Sequence, residues 1–174
     1  MKKYLKTIVN GVAALFAVVS YLLLLGPVFA KTYVQWSDGT EWVLWSEGSD
    51  SFYKGLGNYT GGYTGVGISI LVLLSVALLC TIFLVVLDFV KAKKELKFVN
   101  YLVAVLFIAA GVMTFFLGLS AKGSAIEYEL HVLSRSAVGN WKYTLGACPI
   151  IAGILMIVSG LAVAVAPMLS KKAK

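Results

Sequence analysis

Four stretches of the sequence carry no charged residue and are long enough to cross a hydrocarbon core: Thr7 to Ala30, Val66 to Leu87, Phe98 to Ala121 and Tyr143 to Ser170. A bilayer core about 30 Å thick needs about 20 apolar residues in a helix, and a lipid-exposed span must close its own backbone hydrogen bonds. The pattern therefore predicts four transmembrane helices, over about 7–30, 66–90, 98–121 and 143–169, in one integral membrane domain spanning 1–174. Outer loops are expected at 31–65 and 122–142, and an inner loop at 91–97. Only 13% of residues are charged, about half the share in soluble domains. The first span follows Lys2, Lys3 and Lys6 and ends in Val28-Phe29-Ala30, the outline of a secretory signal. Its apolar run exceeds the roughly 7 to 15 residues of a signal core, so it is read as a retained helix.

The cations set the expected orientation, because cytoplasmic flanks carry an excess of Lys and Arg. Ten of the fifteen lie in three clusters: Lys2, Lys3, Lys6; Lys91, Lys93, Lys94, Lys97; and Lys171, Lys172, Lys174. Both termini are thus expected in the cytoplasm, with the protein multi-pass in the plasma membrane. The remaining five are spread through two outer segments that also hold six acids. The net charge of +7 then reports topology and contact with anionic lipid headgroups, at about 1 kcal/mol per surface cation. It does not report nucleic-acid binding, since the lysines occupy the edges of spans. Fourteen Lys against one Arg is a balance found in low-GC bacterial sources.

Cys80 and Cys148 fall inside spans at depths expected to differ by more than the roughly 7 Å Cα separation that a disulfide tolerates. They read as packed free thiols. Glu127, Glu129 and His131 in the second outer loop read as a solvated polar face, so no metal or cofactor is expected.

In the first outer loop, "KTYVQWSDGTEWVLW" places Asp38-Gly39, a pair suited to a two-residue turn, between runs rich in β-branched and aromatic residues. A hairpin closed there sets Ser37 opposite Thr40, Trp36 opposite Glu41, Gln35 opposite Trp42, Val34 opposite Val43 and Tyr33 opposite Leu44. An isolated hairpin is marginal, and the alternation of Ile126, Tyr128, Leu130 and Val132 offers a third strand, although a helix also fits these residues. The expected class is a four-helix transmembrane bundle capped by an extracellular β-hairpin or three-stranded sheet. Trp36, Trp42, Trp45, Phe52 and Tyr53 are the candidate partner-binding residues, since Trp and Tyr dominate interface hot spots. The alternative for the tryptophans is anchorage in the headgroup region.

Within the spans, Ala104, Gly111 and Gly118, and likewise Gly146, Gly153 and Gly160, recur at steps of seven. Such a step keeps small residues on one stripe and allows close backbone approach. The third and fourth helices are expected to meet there, or one stripe to face a neighbouring subunit. Asp88 is the only acid within a span; it lies about 33 Å along the second helix from Val66, near the boundary and three residues from Lys91. A surface ion pair is expected for it. Transport through Asp88, with Ser75, Thr81 and Thr114 lining a path, is the alternative.

The layout resembles the claudin and peripheral-myelin-protein group of four-span proteins: Trp36 followed by Leu44-Trp45 in a long first outer loop echoes that group's Trp and Leu-Trp step. The group's cysteine pair in this loop is absent. The resemblance implies a non-enzymatic role in which outer loops contact partners and sometimes line paracellular channels. The expected function is an oligomeric scaffold or accessory subunit, partnered by the lipid bilayer and by further copies or another membrane protein. The alternative is a channel or small transporter formed by oligomerisation.

Overall fold

The computed structural model describes the backbone of residues 4–37, 40–47, 52–53, 56, 62–90, 97–117, 119 and 140–171. Four helices dominate: α1 (Leu5–Leu23), α2 (Gly62–Phe89), α3 (Lys97–Phe115) and α4 (Ala147–Lys171). All four are long and apolar enough to cross a membrane, the arrangement of a multi-pass membrane protein. α1 stops well before Ala30, because Gly26-Pro27 follows and the residue before a proline is pushed out of the α region. Its end closes through bonds from the amides of Leu24, Leu25 and Gly26 to the carbonyls of Ser20, Leu22 and Leu23. Pro149 sits in the first turn of α4, where its missing N–H has no intrahelical partner to lose.

The fold class corrects the sequence expectation. The four-helix body holds no strand, so the protein is an all-α bundle and a β cap is not part of that body. The Asp-Gly turn and the period-two alternation express a local backbone preference, whereas the lipid-spanning segments are obliged to be helical. Extended backbone pairing lies outside the body, in β1 (Phe29–Ser37), β2 (Thr40–Glu47) and β3 (Asn140–Leu145), ordered β2-β1-β3. There Ser37, Trp36, Gln35 and Val34 sit opposite Thr40, Glu41, Trp42 and Val43, but an irregularity next to Tyr33 sets it opposite Trp45 rather than Leu44. The third run is 140–145; the segment expected to supply it, 126–132, lies outside the described residues. Leu145, at the end of β3, packs on the described core.

The helices form a closed ring in which each neighbours the next and α4 returns to α1. α4 packs most extensively against α3 and next against α1, while α1 meets α2 over fewer residues. The interior is built from small side chains, including Ala13, Ala17, Ala77, Ala110, Ala152 and Ala166, with Phe107, Leu74 and Met156 filling between them. Large apolar side chains such as Leu15, Leu79, Val105 and Leu161 point outward. That inversion suits lipid: acyl chains are as apolar as leucine, so helices associate through close van der Waals contact rather than by hiding apolar surface.

Candidate functional site

The polar side chains inside this apolar bundle are few and mostly committed to holding helices together. At one end, Lys6 Nζ on α1 donates to Asp88 Oδ1 on α2 at 2.7 Å, and Thr7 Oγ1 lies 3.5 Å from Asp88 Oδ2. Both charged side chains are 15% exposed. Asp88 is thus in an ion pair across two helices, while Lys91 lies outside the described residues. At the opposite end, the Tyr21 hydroxyl bonds to Ser75 Oγ, which also donates to the Leu71 carbonyl at 2.6 Å.

Between these ends, Ser20 Oγ reaches the Ala152 carbonyl and Ser159 Oγ the Ala13 carbonyl, each at 3.3 Å, joining α1 to α4. Asn100 Nδ2 donates to the Val163 carbonyl at 3.3 Å, joining α3 to α4. Thr81 and Thr114 donate within their own helices, to Ala77 and Gly111. Among the described residues, Asn10 is the exception: it is fully buried, and neither Nδ2 nor Oδ1 has a hydrogen-bond partner. The sequence reading did not single it out, although an amide in an otherwise apolar span is itself a signal.

The small-residue stripes meet where α3 crosses α4. A Cβ at Gly111 would lie 2.7 Å from the Gly153 carbonyl oxygen, and one at Gly160 would lie 2.8 Å from the Ala104 carbonyl oxygen. Gly153 likewise faces Thr114 and the Gly111 carbonyl. Gly146 has a different neighbour: its amide donates to the Val28 carbonyl at 2.6 Å, and a Cβ there would come 2.9 Å from the Pro27 carbonyl oxygen. Gly118 lies outside the described residues.

Of the aromatic candidates, Phe52 is fully buried. It packs with Leu56 over Gly67 of α2, where a Cβ would come 2.5 Å from Leu56 Cδ2 and 3.3 Å from Phe52 Cζ. Its ring therefore belongs to the bundle interior rather than to a free surface. Tyr53 is 37% exposed and meets Phe52 edge-to-face, with centroids 5.3 Å apart. Burial, and secondarily Tyr21, hold its phenol above the ordinary tyrosine value, so it stays a neutral donor at neutral pH. The side chains of Trp36, Trp42 and Trp45, and all of Glu127, Glu129 and His131, lie outside what the structure describes. Among the described residues no group of His, Cys, Asp and Glu could hold a metal. Cys80 and Cys148 are free and half-buried.

These observations define a multi-pass helical bundle whose described interior polar groups are mostly bonded to one another or to backbone carbonyls, Asn10 apart. No family model matches the chain, and no curated protein matches it.

Proposed function

We propose that the protein is a non-enzymatic membrane scaffold or accessory subunit of the plasma membrane, with both termini in the cytoplasm. Its aromatic first outer segment, with Trp36, Trp42 and Trp45, contacts a further copy or another membrane protein. The observation that carries this reading is the commitment of Asp88, the one acid within a span, to Lys6 at 2.7 Å. Intramembrane ionisable groups mark transport paths when they face a water-filled route; here the carboxylate clasps two helices. Ser75 and Thr114 are also bonded, to Tyr21 and Leu71 and to Gly111. The resemblance to the claudin and peripheral-myelin-protein group supports the same non-enzymatic role.

Crosslinking in native membranes, followed by purification, tests the proposal. Capture of a second copy or a defined membrane partner, lost when Trp36, Trp42 and Trp45 are replaced by Ala, is the expected result. A strictly monomeric protein with no captured neighbour overturns it. Solute flux in liposomes that collapses with Asp88→Asn would instead establish the channel or transporter.

A further inference from the structure

We infer that Asn10 binds a water molecule inside the bundle, supplied from the end that carries Lys6 and Asp88. The inference is independent of the scaffold reading. Asn10 is fully buried with both amide atoms unpaired. An unmet buried polar group loses its hydration without replacement, and the loss is greater where hydrocarbon surrounds it. What meets that need is constrained by the carboxamide itself. Nδ2 requires an acceptor and Oδ1 requires a donor. A bare cation would satisfy only the oxygen, a bare anion only the nitrogen, and an acyl chain neither. The ligand must both donate and accept while being small and uncharged, which is the chemistry of water at buried polar sites.

The position of Asn10 gives water a short route. Lys6 and Thr7 precede it by four and three residues on α1, so all three share a helix face. Asp88 touches both Lys6 and Thr7, and the ion pair is 15% exposed. Asn10 therefore lies one turn inward, about 6 Å along the axis from Lys6. A second polar group sits at the same depth. The Ser20 to Ala152 and Ala13 to Ser159 contacts are separated by seven residues on both helices, so α1 and α4 run antiparallel in constant register. That register brings Asn10 level with Ala162 and Val163, and the Val163 carbonyl is the one that accepts from Asn100. Polar groups thus stand at two successive levels, the Lys6–Asp88–Thr7 cluster and the level of Asn10 and Asn100, with the fully buried Ala13 and Ala17 above them.

The deciding experiment is water-edited solid-state NMR on the full, unsubstituted chain in lipid bilayers. Polarisation transfer from water to Asn10 Nδ2 is expected to be several-fold faster than to the Ala17 amide, two turns deeper. Equal, slow transfer at both positions overturns the inference. Thiol chemistry gives a second readout in a Cys80→Ala, Cys148→Ala background, since a thiol reacts as the thiolate and ionises only where water reaches it. Asn10→Cys is expected to react with a small maleimide several-fold faster than Ala17→Cys. Should Asn10→Cys fail to fold, the NMR result decides alone; a folded Asn10→Cys as inert as Ala17→Cys counts against the site.

Discussion

At the scale of single residues, the Lys6–Asp88 pair has the most to lose from substitution. An exposed pair contributes at most about 1 kcal/mol, and removing one partner of a fully buried pair costs roughly 3–5 kcal/mol. With both side chains 15% exposed, Asp88→Asn and Lys6→Met should each fall between these limits, because each strands the opposite charge near lipid. The double variant Lys6→Met/Asp88→Asn should lose less than the sum of the two. Unfolding in mild detergent measures all three, and strict additivity would mean the pair contributes nothing. An ion pair for Asp88 was legible from its distance along the second span. Lys6 as a partner was not: it comes near only through the packing of α1 on α2, which periodicity within one helix does not encode, while Lys91 lies outside the described residues. Asn10 was missed for the same reason, since its lack of partners is a property of the surrounding helices.

At the scale of elements, the α3–α4 seam depends on glycine where backbone meets backbone. A Cβ at Gly111 would face the Gly153 carbonyl oxygen at 2.7 Å and Ile157 Cγ1 at 2.8 Å, so Gly111→Ala forces the helices apart. Overpacking of this kind costs about 1–3 kcal/mol. Gly11 on α1 has nothing within 4 Å of such a Cβ, and Gly11→Ala should be neutral or stabilising by up to about 1 kcal/mol. Comparing their thermal midpoints separates the seam from a general intolerance of alanine; equal losses would contradict it. Steps of seven made this seam readable, because they fix which residues share a stripe. They do not fix where a stripe ends. Gly146 continues the spacing, yet it lies beyond the helix and abuts the Pro27 and Val28 carbonyls instead. The four spans were legible because a charge-free run of sufficient length leaves lipid little choice. The β cap misled, because a turn and an alternation describe a preference of a few residues and not the class of the body they join.

At the scale of the whole molecule, the lysine clusters predict sidedness. In the same cysteine-free background, Thr40→Cys should react with a membrane-impermeant maleimide on intact cells, and Lys172→Cys only after the cells are opened. The reverse pattern would invert the orientation on which the proposed partner contact depends. The ring itself carries a consequence for biosynthesis. Of the four helices, α1 leaves the ribosome before the others, and its broader neighbour, α4, leaves after them. Until α4 has been made, α1 must wait in the bilayer with its alanine face and Asn10 uncovered by α4. A nascent chain halted before residue 147 should then be a substrate for quality-control proteases that spare the finished protein.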